Sequence, residues 1–318
     1  MIKKTSFEEM IITVTLNPAI DKTAKLDELQ LGELNRLQNI VVDIAGKGIS
    51  VARMISTLGG NPLTTGFMGE GSGEFILSTL NELQIANDFV RVKGDIRTNL
   101  KVLDKGTRLT EINEPGIVVT QADVTRLLDK IQQKAKPGTI FVCSGSICQG
   151  VDTEIYARMI RLIHHHGALA FLDTDGEPFR AALEEKPDFI KPNRHELMEF
   201  FNVKGNPSLL ELKELCQQLM DEGIPMLALS MGADGAMFLK GNHCSYAKGL
   251  DVICKSPVGA GDSMVAAFAY GVSKGLSLEE TSKLALAASA GAVITEGTKP
   301  PAREVIEELL LQVELLDL

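Results

Sequence analysis

Short runs rich in apolar residues and longer amphipathic stretches take turns along most of the chain. "IITVTL", "TIFVCS", "ALAFLD", "DFIKPN" and "MLALS" have the length and composition of strands. Residues 124–134 and 152–166 repeat apolar positions at three- and four-residue intervals, which predicts helices between those strands. Such alternation predicts an α/β fold with a mostly parallel sheet covered by helices. Residues 92–119 break the rhythm: "RTNLKVLDKGTRLTEINEPGIVV" alternates polar and apolar residues around Lys105-Gly106 and predicts an antiparallel hairpin. We read that hairpin as part of a small β lid, formed by residues 17–45 and 92–119. From residue 260 onward the pattern is mostly helical. No repeat, low-complexity segment or linker divides the chain, so one domain is expected over residues 10–318. Residues 1–9 read as an extension, with Met10 an alternative start.

Composition narrows the classes of function. The 318 residues carry a formal net charge of −10, which disfavours a broad surface for nucleic acid or anionic membrane but leaves room for a locally basic pocket. The apolar runs are too short to cross a bilayer, and "MIKKTSFEEM" lacks the apolar centre of a secretory signal, so a cytoplasmic location is expected. Five cysteines (143, 148, 216, 244 and 254) form no CxxC pair and predict reduced, mostly buried packing residues. The triplet at residues 164–166 lacks the spacing of metal ligands and reads as the end of a helix.

Several glycine-rich stretches lie where predicted strands or apolar runs meet helices. In "DIAGKGISVARMI", Gly46, Lys47 and Gly48 lead into a helix, but Val41 and Gly48 stand where a Walker A loop needs Gly and Ser or Thr. Val51 replaces the third small residue of a dinucleotide fingerprint, leaving an oxidoreductase reading with little behind it. What remains is a helix start with a cation, able to hold an anionic group, or a tight turn with a solvent-facing lysine. "TLNPAID" brings Asn17 and Asp21 to the sheet edge where α/β folds bind ligands; Asp21 suits two sugar hydroxyls, or else caps a turn. "FVCSGSICQG" offers Ser144, Gly145 and Ser146 for close backbone approach. In "KPNRHEL", Asn193 and Glu196 form either a capping box or a pair orienting Mg²⁺ and its waters. "LALSMGADGAMFL" is a hairpin whose Gly232 and Gly235 also leave room for a nucleotide. Finally, "SPVGAGDSMVAAF" places Asp262 after Gly259, Ala260 and Gly261 at a helix start. Open amides there suit a phosphoryl group, and the acid beside them suits the proton of an attacking hydroxyl. The plain alternative is an acid that complements the helix dipole.

Taken together, "TLNPAID", "GKG", "SGS", "KPNRHEL", "SMGADGA" and "PVGAGDSMVAAF" resemble, in order and spacing, the PfkB (ribokinase-like) carbohydrate kinases. The likeness spans about residues 10–316 and is greatest to the 1-phosphofructokinase and tagatose-6-phosphate kinase branch. It implies a ribokinase-like three-layer α/β/α fold and an ATP- and Mg²⁺-dependent kinase acting on a ketohexose monophosphate. "TEIN" in the lid favours fructose 1-phosphate over tagatose 6-phosphate.

By the same resemblance Asp262 is the general base, and Gly259, Ala260 and Gly261 belong to the anion hole. Asp21, Gly46, Lys47, Ser50, Arg97, Asn99 and Ser146 would hold the sugar phosphate. Lys191, Asn193, Glu196, Ser230, Gly232, Ala233, Gly235, Ala287 and Ala290 would surround ATP, with Asn193 and Glu196 reaching Mg²⁺ through water. The exposed edge of the lid hairpin could pair with a second copy, so a homodimer through the lid is expected. Three positions depart from the family pattern: Ser50 stands for a usual Asn, Cys148 for Pro and Asp175 for Ser. Ser50 and Asp175 keep a second reading open, a non-catalytic sugar-phosphate sensor on the same fold.

Overall fold

The computed structural model describes residues 10–104, 108–256 and 258–318, so residues 1–9, residues 105–107, where the hairpin was expected to reverse, and Pro257 lie outside the described residues. Along the chain, β1 (Met10–Thr15) starts the body, and β2 (Ala19–Leu26) and β3 (Gln38–Ala45) leave it for the lid. The chain returns through α1 (Lys47–Thr57), β4 (Leu63–Gly69), α2 (Gly73–Glu82), β5 (Ala86–Asn87) and β6 (Val90–Val92). A second excursion, β7 (Arg97–Asp104) and β8 (Arg108–Asn113), completes the lid. The body continues with α3 (Gln121–Lys134), β9 (Thr139–Ser144), α4 (Ile155–His165), β10 (Leu169–Asp173), α5 (Gly176–Leu183) and β11 (Phe189–Ile190). Then come α6 (Arg194–Phe200), α7 (Leu209–Asp221), β12 (Met226–Ser230), β13 (Ala236–Lys240) and β14 (His243–Ala247). It closes with α8 (Ala260–Ser273), α9 (Leu278–Val293), α10 (Arg303–Leu310) and β15 (Leu316–Asp317).

The body sheet runs β15-β14-β13-β12-β11-β10-β9-β1-β4-β5, with β6 also paired to β4. Its strands are parallel from β12 to β5, and β13, β14 and β15 add an antiparallel end. Strand alternation sends neighbouring side chains to opposite faces, and β9 shows the result. Phe141 and Cys143 join a core with Leu127 and Ile131 of α3, Ile160 of α4 and Leu219 of α7. Ile140 and Val142 join the opposite core with Val51 of α1, Phe268 of α8, Leu286 of α9 and Ile306 of α10. Helices thus cover both faces, giving three layers. On the second face Phe268 stacks on Phe189 with ring centroids 4.4 Å apart. The same face brings α8 against β1 and β9, which fixes where the start of that helix lies.

The lid is a separate four-stranded sheet in the order β3-β2-β7-β8. Parallel pairing of β2 with β7 sets Asp21 opposite Asn99 and Ala19 opposite Arg97. Three expectations need adjustment. "DFIKPN" contributes only Phe189 and Ile190 as strand, because the chain turns at Lys191 to cap α6. The helix expected over 152–166 begins at Ile155, since the Asp152 carboxylate binds the Glu154 amide at 2.8 Å and holds a turn ahead of it. Of residues 92–119, only 97–104 and 108–113 are lid strands; Val118 bridges Gln149 of the body instead. Cys143, Cys148, Cys216 and Cys244 are buried and Cys254 is exposed, all as free thiols. Among the described residues no helix is long and apolar enough to cross a membrane.

Candidate active site

Two clefts open at the carboxyl ends of the parallel strands, and Lys47 belongs to both. The larger, about 490 Å³, runs past Asp173, Lys191, Glu196, Ser230, Gly232 and Gly235 to the start of α8. The smaller, about 150 Å³, is lined by Thr15, Asn17, Arg97, Ser144, Gly145, Ser146 and Asp175 under the lid. A body of this kind offers its strand ends because side chains and loops there are free of sheet pairing.

Where the clefts approach one another, one carboxylate organises two cations. Asp173, at the end of β10, is buried; its Oδ1 lies 3.3 Å from Lys47 Nζ and 3.4 Å from Lys191 Nζ, while its Oδ2 has no partner. Burial opposes its charge, but Lys191 and Lys47 outweigh burial and hold the carboxyl below its ordinary range. Lys47 is likewise disfavoured by burial, yet Asp173 first, then Asp262, Glu196 and Asp175, raise its pKa above the usual lysine value. It is an anchored cation, so the solvent-facing alternative fails. Lys47 begins α1 after Gly46 at φ 125°, and α1 is pressed against β1 at Gly48. A Cβ at Gly48 would lie 2.6 Å from Val14 O.

The opening of α8 faces the larger cleft. Gly259 adopts a left-handed backbone (φ 86°) that an L side chain resists, and it turns the chain into the helix. Among the described residues the first bond of the α8 ladder runs from Ser263 N to Gly259 O at 2.9 Å, so the amides of Ala260, Gly261 and Asp262 lie ahead of it, and all three residues line the cleft. A Cβ on Gly261 would stand 3.2 Å from Lys191 Nζ, placing that ammonium beside the same amides. Asp262 lines the cleft with a pKa pushed up to about 6, chiefly by burial and further by Asp173, against the pull of Lys47, Lys191 and a hydrogen bond from Ser50. A carboxylate with that pKa is ionised at neutral pH and still a fair proton acceptor.

Beneath the lid, Asp21 is 4% exposed and accepts from Asn99 Nδ2 at 2.9 Å and Lys101 Nζ at 2.6 Å. Arg97 reaches Asn17 O at 3.4 Å, and burial lowers the pKa of its guanidinium. The hydroxyls of Thr15 and Ser144, Asn17 Oδ1 and Arg97 Nε are all buried without partners around the smaller cleft, a set suited to a polar ligand.

Several expected residues sit differently from their assigned places. Asn193 and Glu196 form the capping box, with bonds of 2.9 Å and 2.8 Å, while both also line the larger cleft. The box commits Asn193 Oδ1 to the Glu196 amide and Glu196 Oε2 to the Asn193 amide. Ser230 pairs with Ala236 in the β12–β13 hairpin, and both Gly232 and Gly235 line the cleft; Ala233 is exposed and is not among the lining residues. Ala287 and Ala290 pack into the core; Leu286, Ser289 and Val293 of the same helix line the cleft instead. Ser50 hydrogen-bonds Asp262. Asp173 and Lys101 were not anticipated, although Asp173 ends a strand at the ligand edge and Lys101 shares the face of Arg97 and Asn99 by strand alternation. The dinucleotide alternative fails in topology, since Gly46 follows the lid strand β3 and no strand of the parallel sheet.

The model of the pfkB family carbohydrate kinases matches residues 14–304. The chain belongs to that family. The 1-phosphofructokinase of Vibrio cholerae serotype O1 is 31% identical over 305 residues, covering 96% of each chain. The tagatose-6-phosphate kinase of Staphylococcus epidermidis is also 31% identical, over 97% of this chain and 100% of its own. Among solved structures, phosphofructokinase-2 of Escherichia coli in complex with substrates and products superposes with a TM-score of 0.91 at 27% identity, over 95% of this chain and 99% of its own. The ribokinase of Thermotoga maritima, at 20% identity and a TM-score of 0.78, shares the fold.

Proposed function

We propose that this kinase transfers the γ-phosphoryl group of ATP to a ketohexose monophosphate, with fructose 1-phosphate the preferred acceptor and fructose 1,6-bisphosphate the product. The observation that carries this reading is the sharing of Lys47 by two clefts, with Asp262 and the start of α8 on the wall of the larger one. One cleft has the size and glycine-lined wall for a nucleotide; the other is cationic and polar, as the phosphate of a sugar requires.

In the proposed reaction Asp262 accepts the proton of the attacking sugar hydroxyl. The amides of residues 260–262 and the Lys191 ammonium face the oxygens of the transferring group, and being fixed before reaction they need no reorganisation. Asp21, positioned by Asn99 and Lys101, accepts from sugar hydroxyls, while Arg97, Ser146 and Lys47 hold the phosphate already present. Leu286, Ser289 and Val293 offer a wall for adenine opposite Ser230, Gly232 and Gly235.

ATP is used as its complex with Mg²⁺, an ion that keeps much of its water and takes few protein ligands. Asn193 and Glu196, on the wall of the larger cleft, are the residues that would hold it through water, and bound there it would neutralise charge on the ATP phosphates. Exposed Ile40, Val41 and Val42 on β3 and Ile112 on β8 support pairing of lids in a homodimer.

The test is a substrate panel with Mg-ATP, in which fructose 1-phosphate and tagatose 6-phosphate compete as acceptors. Fructose 1-phosphate should give the higher kcat/KM, and absence of bisphosphate from both overturns the proposal. Asp262→Asn should lose about 10²–10⁴ in kcat while still binding ATP.

A further inference from the structure

The smaller cleft contains a charge that a phosphate does not call for. Its cations, Lys47 and Arg97, suit an anion, and so do the buried, unpartnered hydroxyls of Thr15 and Ser144. Asp175 lies on the same wall and can only accept hydrogen bonds once ionised. It is the N-cap residue of α5 in an extended backbone (φ −129°, ψ 175°), where an Asp side chain usually accepts from the second or third amide of the helix. Here it makes no such bond, so its carboxylate is not consumed by the helix. A phosphate dianion brings only acceptors and negative charge to this wall, and both conflict with Asp175. A sugar hydroxyl has a proton to donate and meets no such conflict.

We infer that Asp175 is a specificity-determining residue that weakens the smaller cleft's hold on a dianionic phosphate and so reduces the advantage of a phosphorylated ketohexose over its unphosphorylated counterpart. The inference rests on the reading that this cleft receives the phosphate end of the sugar. Because Asp175 is exposed, solvent screens its repulsion, and the expected effect is modest: roughly five- to tenfold in affinity.

Asp175→Ser and Asp175→Asn test it, since Ser and Asn are both good N-caps and preserve the start of α5. Dissociation constants for fructose 1-phosphate and for fructose are measured by calorimetry on both variants and on the unaltered protein, at low and high salt. Both variants should bind fructose 1-phosphate about five- to tenfold more tightly, with fructose changed less than about twofold and the gain reduced by salt. Unchanged or weaker binding of fructose 1-phosphate, an equal gain for both sugars, or no binding by any of the three proteins overturns the inference. Calorimetry needs no turnover, so the two readings fail separately. Normal kinase activity without the tightening defeats only the role of Asp175, and tightening without kinase activity defeats only the proposed reaction.

Discussion

Replacing Asp173 with Asn perturbs stability and the catalytic pH profile by separate routes. The substitution keeps the shape of the side chain and removes its charge, so Lys47 and Lys191 lose their shared counter-ion. Lys47 is 35% exposed and keeps part of its hydration, so its loss counts for less. Lys191 is only 5% exposed and cannot turn away. Stranding one buried cation costs about 3 kcal/mol at the lower end of such changes, which lowers the Tm of a chain this long by roughly 5 °C. The second route runs through Asp262, whose pKa near 6 is raised in part by the negative charge of Asp173. Without that charge, and with both lysines freed from it, Asp262 ionises more easily. The acid limb of kcat/KM for the sugar phosphate, expected near pH 6 in the unaltered enzyme, should therefore move down toward the ordinary carboxylate value of 3.8. Its plateau should also fall, about tenfold, as Lys47 and Lys191 lose alignment. Thermal melts and a pH series on the folded variant supply the assay. A limb that stays in place or moves to higher pH refutes the electrostatic coupling of the two carboxylates, and an unchanged Tm refutes the pairing of Lys191.

Lys101→Met leaves the buried Asp21 with Asn99 alone, so the KM for sugar phosphate should rise at least about tenfold and stability should fall by about 3–5 kcal/mol. Steady-state kinetics with a chemical melt separate the two effects, and an unchanged KM would show that Asp21 does not meet the sugar. Gly48→Ala would drive a methyl group to 2.5 Å from Thr15 Oγ1 and 2.6 Å from Val14 O. Since backbone on β1 cannot yield as a side chain tip can, a loss of more than about 2 kcal/mol is expected in a denaturant melt. A midpoint unchanged within error would show that α1 does not pack on β1 this closely.

Much of the body was readable because a buried strand must divide its side chains between two faces. "TIFVCS" does this residue by residue, sending Phe141 and Cys143 one way and Ile140 and Val142 the other. Strands of two or three residues carry no such period. β5, β6 and β15 exist because neighbours pair with them, and that pairing is non-local. The start of α4 was displaced for a local reason, the competition of Asp152 for a backbone amide.

At the site, residue types announced chemistry where a charge interrupted small residues, as at Lys47 and Asp262. Orientation was harder to read. On α9, Leu286, Ser289 and Val293 recur at three and four residues and share a stripe that reaches the cleft, Leu286 from the edge of the core, whereas Ala287 and Ala290 lie one residue further round and meet the core alone. A single step of a helix decides between ligand and packing, and nothing in a run of alanines marks it. Asp173 was obscured differently, because an acid ending a strand gains meaning only when two lysines from distant parts of the chain, at the starts of α1 and α6, converge on it. That convergence also explains why the capping box at Asn193 and Glu196 and the proposed ATP contacts need not be rival readings. The cap, two residues beyond Lys191, fixes the start of α6, and a lysine so placed can reach Asp173 on one side and the amides of α8 on the other.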